Sequence, residues 1–394
     1  MIGTFAGRLL TEVDTRLLWK FAYTFGWKGM RAVQRFEKRR SAFPAFLFLS
    51  ATNRCNLRCR GCWVTTTGPS KDLSLKTMNA VVLAAKRQGT HFFGILGGEP
   101  LLHTEVFDLI RRHPDCYFQL FTNGTLITNE VASTLRALGN VTPLVSVEGD
   151  REVSDRRRGA KDVLRRSMDG IERCHQNRLV VGVATSVCQS NVRHVLSPAF
   201  LDDLVARGVH YFWPYIYRPV GTTPSPEIAL TADQILDLRR FLVEQRTRAP
   251  IMLVDAYWDH EGRALCPAAV GISHLVNPCG DIEPCPVIQF SRDNVTDNQD
   301  IVGTFANSAF LRDFREMATR TTRGCILLDN PAVLLDFLRR QAARDTSGRG
   351  VGFSELAAMT AHPSHHLPGK EIPERHWLYR FAKKHWFFGF GAYG

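Results

Sequence analysis

The chain has 394 residues, 44% of them hydrophobic and 22% charged, a composition that supports one large packed domain with an appendage. No window holds the run of about 18 uncharged apolar residues that a membrane-spanning helix needs. The start lacks the basic, apolar and small-residue order of an export signal, so a cytoplasmic protein is expected. The formal charge of +12 is concentrated at the ends, where residues 1–45 carry nine Lys/Arg against three acids and residues 361–394 five against two. A nearly neutral middle excludes a basic groove for nucleic acid, and basic flanks suit an anionic surface. Ten cysteines without an export signal read as metal ligands rather than disulfides.

Residues 1–45 form a basic amphipathic segment, helical over 5–39 with a break at Gly26 and Gly29. Trp19, Phe21, Phe25 and Trp27 are interleaved there with Arg16, Lys20 and Lys28. Short apolar runs then predict strands at 46–50, 92–96, 118–122, 144–147, 180–187 and 211–217. Amphipathic stretches between them predict helices near 74–88, 104–113, 129–138, 160–177 and 198–207, and another at 231–246 capped by Thr231 and Asp233. Strand–helix alternation of this kind gives parallel β-α units. The expected fold of residues 46–250 is therefore α/β, a partial (β/α)6 TIM-like barrel left open because six strands do not close it.

Residues 219–226 are Pro-rich and read as a loop. Residues 251–346 are denser in Cys, Pro and Gly and predict a small C-terminal auxiliary domain. It should hold a hairpin turning at Gly280-Asp281 and helices near 306–318 and 331–345. The tail, 347–394, is irregular and then aromatic and basic. In it Trp377, Tyr379, Phe381, Trp386, Phe387, Phe388 and Phe390 alternate with Arg375, Arg380, Lys383 and Lys384. Such mixtures suit the headgroup region of an anionic membrane; packing of both ends on the barrel is the competing expectation.

The loop after the first strand reads Cys55-Asn56-Leu57-Arg58-Cys59-Arg60-Gly61-Cys62. Three thiolates on one short loop hold three irons of a cubane and leave the fourth open to a ligand. Structural cysteines and a zinc site are the alternatives. After the second strand comes Gly97-Gly98-Glu99-Pro100, where glycines admit a ligand close to the backbone and a carboxylate can take an ammonium group.

Together these motifs resemble the radical S-adenosylmethionine (SAM) superfamily, with the resemblance covering about residues 46–217. It implies that a [4Fe–4S] cluster on Cys55, Cys59 and Cys62 binds the amino and carboxylate groups of SAM. One electron then releases a 5′-deoxyadenosyl radical that takes hydrogen from a substrate. The family usually has an aromatic residue before the third cysteine; here it is Gly61, and Trp63 follows. The resemblance gives Gly97, Gly98, Glu99 and Pro100 the SAM amino group. It makes Asn123, Ser146, Glu148, Arg158 and Ser186 further SAM contacts, with Asp155, Arg158 and Gly159 matching an Asp-x-x-Arg-Gly element. Asn191 is a further candidate. Cys116, Cys174 and Cys188 lack ligand spacing and read as buried thiols.

Cys266, Cys279, Cys285 and Cys325 lie beyond the barrel. The stretch Cys266-x13-Gly280-x4-Cys285 resembles the opening of SPASM and twitch extensions, over about residues 263–330. It implies one auxiliary iron–sulfur cluster, with Cys266, Cys285 and Cys325 as ligands and Cys279 as the fourth; zinc suits four cysteines equally. The expected function is a radical SAM enzyme served by an electron donor such as a flavodoxin or ferredoxin, acting on a lipid or hydrophobic substrate at the membrane surface. A peptide- or protein-modifying maturase and a non-enzymatic iron–sulfur or zinc scaffold are the alternatives.

Overall fold

The computed structural model describes residues 2–39 and 43–385. Its centre is a nine-stranded sheet in the order β7-β6-β5-β4-β3-β2-β1-β8-β9. The first six strands are β1 (Phe46–Thr52), β2 (Phe92–Gly97), β3 (Tyr117–Thr122), β4 (Val141–Ser146), β5 (Gly182–Val187) and β6 (Tyr211–Ile216), all paired in parallel. Their side chains are buried on both faces, as parallel strands covered by helices require, and β5 is buried throughout. These are the six predicted units of a partial TIM-like barrel, and the helix Ala232–Gln245 begins with the predicted Thr231 cap, closed into a box by Gln234.

The sheet continues past both expected edges. A short β7 (Met252–Leu253) pairs with the start of β6, and β8 (Ser273–Val276) runs parallel to β1 on the side away from β2. The hairpin partner β9 (Ile282–Glu283) returns antiparallel to β8. No break in the sheet therefore falls at residue 251, and the cysteine-rich region hangs on the barrel's own hydrogen bonds. A further helix, Arg151–Arg158, which the apolar pattern does not mark, precedes the predicted one near 160–177.

The N-terminal segment lies across the strand starts. Phe21 meets Tyr117 edge-on at 5.3 Å and Phe25 meets Phe92 at 4.8 Å. Arg8 donates to the carbonyls of Val205, Val209 and Pro250 at 3.1, 3.2 and 2.9 Å. Gly26 and Gly29 do not break the helix: Phe21–Lys28 is a wider, π-type turn that runs directly into Gly29–Arg39. One face is thus packing surface, while Trp19 stays 72% exposed and Trp27 and Tyr23 are about half exposed.

The tail is more ordered than its composition predicts, with helices Gly352–Ala358 and Trp377–His385. Tyr379 is buried, its hydroxyl accepting from the Leu253 amide at 3.0 Å. Lys383 donates to Asp255 at 2.9 Å, and Glu374 accepts from Arg239 at 2.7 Å and from Arg246. All five of these charged side chains are buried. Trp386, Phe387, Phe388 and Phe390 lie outside the described residues.

Burial alone would raise both acids, but Lys383, Arg246 and Arg239 around Asp255, and Arg246, Arg239 and Lys383 around Glu374, hold them below the usual carboxylate range. A depressed folded value contributes stability above about pH 4 that is lost as the pH falls through and below the ordinary carboxyl range. Glu374→Gln breaks one side of a buried ion cluster and should cost about 3–5 kcal/mol. Denaturant unfolding at pH 7 and pH 4 checks this, with the difference between variant and wild type shrinking at the lower pH.

Candidate functional site

The parallel strands β1 to β6 deliver their following loops to one end of the sheet, where barrel enzymes carry their chemistry. A cavity of about 190 Å³ lies there. Cys55, Cys59, Cys62, Gly97, Gly98, Asn123, Ser146, Glu148, Arg158 and Ser186 all line it, together with Arg157, Tyr215, Tyr217 and Arg218. The sequence singles out all ten, from the cluster loop and from the ends of β2 to β5 and the chain following them.

The cluster loop is clamped from three sides. The Gly98 and Glu99 amides donate to the Thr52 and Arg54 carbonyls at 2.7 Å each, tying β2's end to the chain entering the loop. A Cβ on Gly98 would sit 2.1 Å from the Arg54 carbonyl oxygen, so glycine is dictated by this crossing. Asn123 donates to Asn56 at 2.8 Å, and the Arg60 amide donates to the Arg157 carbonyl at 2.7 Å. Gly61 is explained by Tyr217, whose hydroxyl oxygen lies 2.3 Å from where a Cβ would be. An aromatic ring thus still packs beside the third cysteine, supplied by the end of β6 instead of the loop itself.

Glu99 ties the loops behind the cavity together. Its side chain is fully buried and accepts from Thr122 Oγ1 and the Asn123 amide at 2.8 Å, and from the Leu101 amide at 3.1 Å. Burial raises its pKa, against these hydrogen bonds. The carboxylate is therefore spent on joining the loops after β2 and β3, and the cavity wall receives Gly97 and Gly98. Pro100 opens the short turn Pro100–Leu102 behind them.

Glu148 pairs with both Arg157 and Arg158. Arg157 also donates to the Ser186 carbonyl at 2.8 Å, and Arg158 Nη1 lies 3.9 Å from Cys59 Sγ. Burial lowers the pKa of Arg158, but Glu148, Cys59 and Tyr215 together raise it above its ordinary value. Asp155 accepts from the Asp162 and Val163 amides at 2.9 Å and so starts the next helix rather than facing the cavity. Asn191 joins the Glu148 and Ser186 carbonyls at 3.0 Å each. The sequence does not single out Arg157, Tyr217 and Arg218; Tyr217 ends a predicted strand and Arg218 directly follows it, which was the available signal.

The thiols fit an iron–sulfur cluster. Burial, then the neighbouring Cys59, pushes Cys62 up to about 12, and burial raises Cys55 as well. Without a metal cation such thiols keep their protons; metal binding displaces them. The Leu57 amide donates to Cys55 Sγ at 3.4 Å.

Cys266, Cys285 and Cys325 form a second set whose thiols feel one another. Burial and Cys325 push Cys266 up to about 11, and burial, Cys266 and Cys325 push Cys285 up to about 12. Cys279 is not with them. It is exposed in the turn beyond the Val276–Ile282 pair, while Cys285 lies three residues down the returning strand. At about 3.4 Å per residue the returning strand carries Cys285 roughly 10 Å from that pair. Among the described residues, the group of three ligating atoms all within 4.8 Å of one another is His91, Asp115 and Cys116, so neither cysteine triad is drawn in as tightly as a single zinc ion requires. Lys86, 2.8 Å from Asp115, already supplies that third site with a cation.

Residues 49–190 match the family model described as the radical SAM superfamily. The chain carries the cluster loop and the Gly97–Pro100 motif inside that match. It is an enzyme, and its cofactors are a [4Fe–4S] cluster and SAM. It is 28% identical to Fe-coproporphyrin III synthase of Methanosarcina barkeri over 220 residues, 53% of this chain and 55% of that protein. It is also 28% identical to mycofactocin maturase MftC of Mycobacterium tuberculosis over 309 residues, 73% and 76% of the two chains. The chain thus spans about half the length of the first relative and three quarters of the second. In fold it resembles Streptococcus suis SuiB bound to S-adenosylmethionine, with a TM-score of 0.60 at 17% identity over 76% of this chain and 73% of that one. SuiB has also been solved bound to the precursor peptide SuiA.

Gly98→Ala should displace the cluster loop at Arg54 and lower SAM affinity at least about tenfold, near 1.4 kcal/mol. Equilibrium binding of SAM beside an iron assay checks this; wild-type affinity at full iron content would contradict the crossing described above.

Proposed function

We propose that this chain cleaves SAM reductively at a [4Fe–4S] cluster on Cys55, Cys59 and Cys62 and abstracts hydrogen from a peptide or protein substrate. The observation that carries the reading is the meeting of those three thiols with Gly97, Gly98 and Arg158 around one cavity. When bound, the cluster supplies the electron that opens the sulfonium and an open iron for the SAM amino and carboxylate groups. Backbone groups of Gly97 and Gly98 orient the amino end of SAM, and Arg158 attracts its carboxylate. Asn123, Ser146 and Ser186 offer polar groups along the remaining wall. An electron donor such as a flavodoxin or ferredoxin recharges the site, and Cys266, Cys285 and Cys325 hold one auxiliary cluster.

The peptide reading draws support from mycofactocin maturase, similar over most of the chain. A second cavity of about 290 Å³ adjoins the first, sharing Val220 and Val287 and lined by Pro224, Ile288, Phe290 and Leu356. An apolar side chain suits it. The lipid reading has weaker footing: the exposed aromatic face of the N-terminal segment lies at the strand starts, about 20 Å of strand away from the cavity. Surface docking is favoured separately by Trp19 and Trp377, 72% and 66% exposed, beside Trp27 and Phe381. None of the described helices is long and apolar enough to cross a membrane.

Replacing Cys55, Cys59 and Cys62 together by Ala should abolish 5′-deoxyadenosine formation, followed by liquid chromatography with mass spectrometry, and leave the auxiliary iron. Continued cleavage in that variant would overturn the assignment. Flotation with anionic and neutral liposomes tests the docking face: Trp19→Ala with Trp377→Ala should weaken anionic flotation while sparing SAM cleavage.

A further inference from the structure

Arg218 follows β6 and stands between the two cysteine sets. Its Nε donates to Cys325 Sγ at 3.5 Å, and its Nη1 donates to the Ile216 carbonyl at 2.9 Å and to Tyr257 Oη at 3.1 Å. The guanidinium also lies over the Tyr257 ring, 5.4 Å from its centre. The same side chain lines the cavity of Cys55, Cys59 and Cys62. The other arginines lining that cavity have acids: Arg157 and Arg158 share Glu148, and Arg60 has Glu227. Among the described residues no carboxylate pairs with Arg218; the titratable groups beside it are Tyr257 and Cys325. A partly buried cation needs a counter-charge, and the cysteine sulfurs are the groups placed to give one. Cys266 and Cys285 lie within the influence of the same guanidinium.

We propose that Arg218 is a positioning residue for the auxiliary cluster, holding Cys325 by an N–H···S hydrogen bond and raising the cluster's reduction potential. The proposal rests on the reading of Cys266, Cys285 and Cys325 as cluster ligands. Reduction adds negative charge to a set of thiolates that is already anionic. A donated hydrogen bond and a fixed cation favour that reduced form. Lysine would keep the charge but not the planar fork that reaches sulfur, carbonyl and phenol at once.

The test uses the full-length chain carrying Cys55→Ala, Cys59→Ala and Cys62→Ala, so that only the auxiliary signal remains. If this reference protein binds no iron, the auxiliary-cluster reading falls and the proposal with it. If it binds iron, its midpoint potential is measured by electron paramagnetic resonance during a redox titration, with and without Arg218→Met or Arg218→Lys. The expected result is a more negative potential in Arg218→Met and an intermediate one in Arg218→Lys, each at the reference iron content. An unmoved potential in an iron-replete Arg218→Met variant overturns the proposal. Should Arg218→Met lose its iron, Arg218→Lys decides alone: a lowered potential supports the proposal, and a reference-like potential overturns it. Loss of iron from both, with unchanged circular dichroism, assigns Arg218 to building the site instead of tuning it and also overturns the proposal.

Discussion

The constraint on which the rest depends is that β1 is hydrogen-bonded along both edges. Leu47 to Leu49 face Phe93 to Ile95 of β2 on one side and His274 to Val276 of β8 on the other. An edge strand would leave a row of amides and carbonyls open to water or to another chain. Here that row holds the cysteine-rich region. The barrel and the auxiliary region therefore share one ladder, and the two cysteine sets are fixed relative to each other by backbone hydrogen bonds rather than by a linker. Phe46, Leu47 and Leu49 are at most 2% exposed, so sliding β8 along β1 would have to unpack the core as well.

From that frame the cavity is assembled by crossings of loops rather than by any single motif. Glu99 and Asn123 join the loops after β1, β2 and β3. Glu148, Arg157 and Asn191 join those after β4 and β5. These side chains are buried and, apart from Arg157 Nε, are bonded to one another and to backbone groups, which makes such a network rigid. The residues left to face an occupant are backbone groups of Gly97 and Gly98, the thiols, and the outer faces of the arginines. Rigidity behind and few committed groups in front suit a pocket that must hold a charged cofactor while excluding water.

Much of this was legible in the chain. The six barrel strands show as apolar runs because parallel strands are buried on both faces, and the cluster loop shows because metal chemistry demands fixed spacing. The missing parts have physical reasons. β7, β8 and β9 are two to four residues long, too short for periodicity to mark them. Arg151–Arg158 is so charged that no apolar stripe reveals it, and Arg157 is nonetheless buried because Glu148 neutralises it. Glu99 illustrates a different limit. Its motif announces a carboxylate beside a cofactor, but which way the carboxylate turns depends on Thr122 and Asn123, brought in by a strand distant in sequence. Cys279 shows the same limit, since its exposed place at a hairpin tip follows from the β8–β9 register and not from its spacing.

The basic ends show how a charge count can be spent inside a molecule. Loops that enter parallel strands leave carbonyls without partners, because the incoming chain has not yet joined the ladder. Arg8 takes those of Val209 and Pro250 as well as the helix-end carbonyl of Val205, Lys28 takes that of Asp115 at 3.0 Å, and Arg35 takes that of Gly89 at 2.6 Å. At the other terminus Arg239 holds the Ile372 carbonyl, and Lys383 faces Asp255 and Glu374. The aromatic residues divide in the same way, with Phe21, Phe25 and Tyr379 turned inward and Trp19, Trp27, Trp377 and Phe381 turned out. An interleaving of aromatic and basic residues is therefore a pattern that two environments share. A barrel floor needs aromatic bulk and carbonyl donors, and a membrane surface needs aromatic rings and cations. Here the terminal segments present the first set to the protein and keep the second facing outward, on opposite sides of the same helices.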